Sequence, residues 1–282
     1  DEAVYDLFDE GEYTDDEGTT IPYEIYIPTD YDDTKKYPLV FALHGSGQRT
    51  QPTDMILKRY QMATVWAKDS EEGRNECIVL APHCAIEDPD TQNWCVKNED
   101  GIYENSPELD AAFALLGSVI EEYAVDTDRI YMTGLSAGGR ATFNLAVQHP
   151  DMFAAIAPDA AGANLDQIEA LKGIPMWIFQ AVDDPTVDPF ANYYEQIKIF
   201  DAAGIEYRST VYKEGAVFFP SAHFSWVPMY ADEEFRDWMF AQTLEGRYEA
   251  GPEDAVLKGL DIRDATQKEI FDGFDEGTEE YA

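Results

Sequence analysis

The chain has 282 residues, 45% of them apolar, and 57 acidic against 19 basic side chains, a formal net charge of −38. That length and apolar content suit one domain with a sizeable core, whereas so acidic a surface repels nucleic acid phosphates and anionic lipid headgroups, whose recognition needs basic patches. No run of about 20 apolar residues offers a membrane span.

In chain order, segments 5–13 and 21–27 read as an N-terminal antiparallel meander. Apolar runs of strand length follow at 37–43, 77–81, 129–133, 154–158, 175–181 and 207–213, with helical stretches at 107–123, 138–148, 165–171, 190–203 and 229–242. Strands alternating with helices predict an α/β fold, a mainly parallel central sheet with helices on both faces. Residues 1–243 make the expected single domain, and 244–282, rich in Asp, Glu and Gly, an acidic tail packed on it or trailing from it. The chain begins at Asp1 without methionine, which fits a mature secreted product or a trimmed chain and makes an extracellular location the expectation.

The most informative stretch is Gly134-Leu135-Ser136-Ala137-Gly138, where the strand at 129–133 gives way to the helix at 138–148. A serine at such a sharp turn is held in a strained conformation, and glycines two positions to either side spare the neighbouring backbone a collision. The hydroxyl is thereby presented at a helix N-terminus, where unpaired N–H groups favour the charge that develops on an attacked carbonyl. The bland alternative is a helix N-cap after a strand.

A serine needs a base, and the base an orienting acid. Of four histidines, only His223 follows an acid-bearing strand end after Ser136, as the order serine, acid, histidine of nucleophile-elbow hydrolases requires. The acid should sit at a strand's C-terminal end. Asp183 and Asp184 follow the run 175–181, and Asp184 is preferred because it precedes the proline that fixes the turn; Asp159 and Asp188 are the alternatives. The strand at 37–43 runs into His44-Gly45-Ser46-Gly47, so the oxyanion donors are expected to be the amides of Ala137 and Ser46, with Gly47 as the alternative to the latter. His44 is expected to organise that loop. Gln48, Trp94 and Trp226 are candidate substrate contacts, and the polar loop 83–101 could cover the acyl pocket.

These residues give the chain a family likeness. It resembles the α/β-hydrolase superfamily, in its esterase and prolyl-oligopeptidase-like group, and is similar to polyhydroxybutyrate depolymerases and to feruloyl or acetyl carbohydrate esterases. The likeness runs from about residue 21 to 242 and rests on His44 to Gln48, Asp128 to Gly139, Pro150 to Ala155, Asp184-Pro185 and His223 to Trp226. It departs at Gln180-Ala181, where relatives often carry His-Gly, and at Asp159, where they carry a small residue. The resemblance implies an α/β-hydrolase fold and a serine carboxylesterase acting through an acyl-enzyme on small-acyl or carbohydrate-linked esters, without a cofactor. The same residues would serve a serine peptidase, and a catalytically dead binding protein is the third alternative.

Three cysteines are present. Cys77 is expected to be a buried thiol, while Cys84 and Cys95 flank a polar loop and could equally be bridged or free. Metal binding is not expected, because His83 and Cys84 are adjacent and no second ligand pair has suitable spacing. The acidity suits either a salt-rich habitat or a merely acidic extracellular enzyme.

Overall fold

The strand β3 (Tyr37–Leu43) is buried at every position, which is why its sequence is an unbroken apolar run. Tyr37, Leu39, Phe41 and Leu43 join one core cluster, while Val40 and Ala42 join the other, the two-residue alternation of a strand covered on both faces. In the computed structural model, which describes residues 2–85, 93–249 and 259–261, this strand lies near the middle of a nine-stranded sheet.

The other strands are β1 (Phe8–Thr14), β2 (Thr20–Tyr26), β4 (Ile78–Pro82), β5 (Cys95–Lys97), β6 (Tyr103–Asn105), β7 (Val125–Leu135), β8 (Ala155–Asp159), β9 (Trp177–Ala181), β10 (Arg208–Tyr212) and β11 (Gly259–Asp261). Their order in the sheet is β1-β2-β4-β3-β7-β8-β9-β10-β11, with β5 and β6 forming a separate hairpin. The pairs β1–β2 and β2–β4 are antiparallel. All later pairs are parallel. This is the α/β-hydrolase architecture, with the expected antiparallel start.

One face is covered by α4 (Pro107–Glu122), α5 (Ala137–Gln148) and α6 (Glu195–Ala203), which contribute Leu115, Phe143 and Phe200 to the first core cluster. The opposite face carries α2 (Met55–Tyr60), α3 (Thr64–Glu71), α7 (Trp226–Ala231) and α8 (Glu233–Phe240), with Leu57, Trp66, Met229 and Phe235 in the second. A short α1 (Glu2–Tyr5) precedes the sheet and α9 (Leu244–Glu249) follows α8.

Several expectations change in detail. The helix expected over 229–242 is two helices, because Asp232 adopts extended backbone and its carboxylate caps α8 by accepting from the Glu234 amide at 3.0 Å. The segment 165–171 forms only a 3₁₀ turn at Ile168–Leu171, and the helix expected from 190 opens with a π turn, Phe190–Tyr194. The polar stretch 83–101 contains strand β5, and α2 and α3 occupy a region for which no element was expected. Of the tail, α9 and β11 are described: Arg247 donates to the carbonyls of Pro150 and Phe153, both at 2.9 Å, and β11 pairs with β10. The rest of the expected tail lies outside the described residues. Among the described residues no helix is long and apolar enough to cross a membrane.

Candidate active site

The parallel register aligns the C-terminal ends of β7 and β8, pairing Leu135 with Asp159, and the chain leaves β7 directly into Ser136 and α5. Ser136 has φ 53° and ψ −113°, a conformation that costs a non-glycine residue about 1–3 kcal/mol. It is held there by neighbours that admit no side chain. A Cβ on Gly138 would lie 2.0 Å from the Leu43 carbonyl oxygen, and one on Gly134 would lie 2.3 Å from that of Gly138. The Ser136 amide donates to the Asp159 carbonyl at 2.9 Å.

Around this elbow the structure brings together three distant side chains. Ser136 Oγ lies 3.0 Å from His223 Nε2, and His223 Nδ1 lies 2.8 Å from Asp184 Oδ2. With Nδ1–H donating to the carboxylate, Nε2 is left to accept from the serine hydroxyl. Asp184 is itself held from two sides: Oδ1 accepts the amides of Thr186 and Val187 at 2.8 and 3.0 Å, and Oδ2 accepts Gln180 Nε2 at 3.1 Å. Burial pushes the Asp184 carboxyl upward, but the bond from His223, its charge and the two amides outweigh this and leave it below its ordinary value.

The other acids are occupied differently. Asp183 accepts the Gly215 amide at 2.9 Å, and Asp188 accepts the Phe190 amide at 2.9 Å. Asp159 is fully buried, and its Oδ1 accepts from Ser225 Oγ at 2.8 Å. Burial raises its pKa well above the ordinary value, against the Ser225 bond and with a further upward push from the Asp184 charge.

Ser46 opens a 3₁₀ turn after β3, and Ala137 is the first residue of α5, where the N–H groups lack intrahelical acceptors. Both line a cleft of about 170 Å³ together with Ser136, Asn93, Cys95, Tyr103, Arg140, Ala160 and Val187. Asn93 Nδ2 donates to Ser46 Oγ at 2.8 Å. His44 braces the loop as expected: its Nδ1 donates to the Gly45 carbonyl at 2.6 Å, its Nε2 accepts the Cys84 amide at 3.0 Å, and burial lowers its pKa to about 3, keeping it neutral.

The three expected substrate contacts are not in the described cleft lining. Trp94 is buried because its indole N–H turns inward to donate to the His44 carbonyl at 2.9 Å. Gln48 is fully enclosed, its amide atoms without a partner among the described residues. Trp226 stands behind the site, edge-on to the His223 ring at 5.1 Å, where it fixes the imidazole's plane. Cys84 and Cys95 are free, buried thiols, as is Cys77; burial raises the first two to about 12, which leaves them unreactive. Among the described residues no group of His, Cys, Asp or Glu could hold a metal ion.

Sequence reasoning missed Gln180, Tyr103 and Arg140. Arg140 carried a signal, since it lies one helical turn beyond Ser136; Tyr103 reaches the cleft from a hairpin that no sequence periodicity announced.

The fold has counterparts among esterases of known structure. A thermostable esterase of known structure superposes with a TM-score of 0.79 at 33% identity, over 86% of this chain and 64% of that one; the chain thus spans less than two thirds of that protein's length. A ferulic acid esterase matches with a TM-score of 0.61 at 18% identity, over 83% and 98% of the two chains. A CE1 ferulic acid esterase from the anaerobic fungus Anaeromyces mucronatus gives 0.52 at 19%, over 73% and 82%. At such identities these last two share the fold. The family described as Esterase PHB depolymerase matches residues 21–172, more than half the chain, and the protein belongs to it.

Proposed function

We propose that the protein is a serine carboxylesterase in which Ser136, His223 and Asp184 form the catalytic triad. The observation that carries this is the continuous hydrogen-bonded line from Ser136 Oγ through His223 to Asp184, at 3.0 and 2.8 Å. Ser136 attacks the ester carbonyl while His223 Nε2 takes its proton; Asp184 holds the imidazole in the tautomer this needs and stabilises the imidazolium. The amides of Ala137 and Ser46 receive the oxyanion. His223 then protonates the departing alcohol, and water, activated by the same nitrogen, releases the acyl group. Family membership and the likeness to a thermostable esterase support the ester as the substrate class. The modest cleft of about 170 Å³, below the usual several hundred for drug-sized ligands, favours a short acyl group with the alcohol part, such as a sugar, extending outward.

The test is hydrolysis of p-nitrophenyl acetate beside aminoacyl-p-nitroanilides, with fluorophosphonate labelling of the wild type and of Ser136→Ala. Ester turnover that falls about 10⁶-fold in the variant, with loss of the label, is the expected result. Preferential cleavage of the anilides would make the protein a peptidase, and an unlabelled Ser136 would make it a binding protein.

A further inference from the structure

The cleft beside Ser136 contains a cation that the triad does not use. Arg140 lines it from the first turn of α5, together with Ser46, Ala137 and Tyr103. One donor, Nη1, is committed to the Gly162 carbonyl at 3.0 Å, and the guanidinium lies over the Tyr103 ring, 3.7 Å from its centroid. A guanidinium has five N–H donors in a planar fork, so this arrangement fixes the group and leaves donors over.

In a chain with 57 acidic residues, a partly buried arginine would be expected to have found a carboxylate. Arg74, Arg129, Arg208 and Arg236 each have one. Among the described residues none meets Arg140. Burial lowers its pKa, as for a cation withdrawn from water without a counter-ion. Withdrawing a charge in this way is costly, and a bound anion would offset that cost. An anion there would lie within one small cleft with the nucleophile.

We propose that Arg140 makes the enzyme selective for esters that carry a carboxylate beyond the scissile bond, the guanidinium binding that carboxylate while Ser136 attacks the ester. This rests on the esterase function proposed above. The carboxylate could belong to the acyl part, as in a monoester of a dicarboxylic acid, or to the alcohol part, as in an ester of a hydroxy or sugar acid. The diffuse negative field of the surface works against either, but it is screened at molar salt, where the Debye length is about 3 Å, whereas a contact hydrogen bond inside the cleft is not. The preference is therefore sharpest at high salt.

Two matched pairs test this at 0.15 M and 1 M salt. The acyl pair is p-nitrophenyl hydrogen adipate against p-nitrophenyl methyl adipate; the alcohol pair is 4-acetoxybenzoate against its methyl ester. The wild type should favour the acid over its methyl ester in one pair by about ten- to a hundredfold in kcat/KM, the range of a hydrogen bond to a charged group, and the pair that responds identifies which part carries the carboxylate. Arg140→Gln should collapse that ratio towards unity and Arg140→Lys should restore part of it, with fluorophosphonate labelling of Ser136 reporting that each variant's site is intact. A wild type that favours the acid in neither pair overturns the proposal without recourse to any variant, as does a preference that survives in Arg140→Gln. A wild type that hydrolyses none of the four esters and takes no label removes the esterase function, and this inference with it.

Discussion

Ser225 Oγ donates to Asp159 Oδ1 at 2.8 Å, tying the loop that carries His223 to the strand end whose carbonyl accepts the Ser136 amide. Asp159 therefore touches the nucleophile's backbone on one side and the histidine's loop on the other without being a partner of the imidazole. Because burial holds its pKa well above the ordinary 3.8, the folded state keeps a proton that the unfolded chain loses. More protons are bound when folded, so this group's contribution to stability falls as pH rises from about 4 towards the folded pKa. Asp159→Asn, a neutral isostere that still accepts from Ser225, should gain stability over the wild type between pH 5 and pH 8, by roughly 2–4 °C in Tm for each 1 kcal/mol recovered. It should keep kcat within about threefold of the wild type. Urea titrations at the two pH values check the first, and a constant gap between the proteins would contradict it.

Asp184 is expected to behave in the opposite way. Asp184→Asn should lose about 10⁴ in kcat, because an amide cannot hold the imidazole in the tautomer that accepts the serine proton. Gln180→Leu removes one donor from the same carboxylate and should lower kcat by about tenfold with little change in KM, since it acts through Asp184 and does not line the cleft. Steady-state kinetics on p-nitrophenyl acetate separate these. Equal activity of Asp184→Asn and the wild type, with Asp159→Asn inactive, would reassign the acid.

Two glycine-to-alanine changes should differ in sign. In Gly138→Ala the new methyl carbon would sit 2.0 Å from a backbone oxygen of β3, so the elbow must move; the loss should exceed the roughly 1–3 kcal/mol usual for overpacking, together with most activity. Gly117, inside α4, has nothing within 4 Å of such a carbon, and Gly117→Ala should stabilise by about 0.4–1 kcal/mol. Denaturant midpoints of the two variants are the measurement.

The net charge of −38 predicts a salt response. Raising sodium chloride from about 0.1 M to 1 M shortens the Debye length from about 10 Å to 3 Å and suppresses self-repulsion of the surface, so Tm should climb by several degrees over that range. A flat profile by calorimetry would show that the acidic residues are already too well dispersed to repel.

The sequence made the sheet and the elbow legible for a shared reason. Strands buried on both faces, such as Tyr37–Leu43, must be apolar throughout, and the elbow needs glycine where backbone meets backbone, so both leave residue-level marks. Asp184 and His223 could be named because each follows a strand end in a fixed chain order. The cleft wall left weaker marks. Tyr103 comes from a three-residue strand, too short for periodicity to register, and Trp94 and Trp226, expected as substrate contacts, are packed against the rings of His44 and His223. An aromatic side chain bordering a site braces it or binds substrate according to which way its ring turns, and composition alone does not encode that direction.

The pairing of β11 with β10, Arg208 opposite Gly259 through Thr210 opposite Asp261, has a colloidal consequence. Without it, the backbone N–H and C=O groups along one side of β10 would form an open ladder, a template on which a second molecule can add a strand. A segment of three residues thus acts as a cover strip for the sheet's margin. A chain shortened after Glu249 should keep its elbow and cleft yet precipitate more readily than the 282-residue chain, most of all in molar salt, where like-charged molecules no longer hold one another apart.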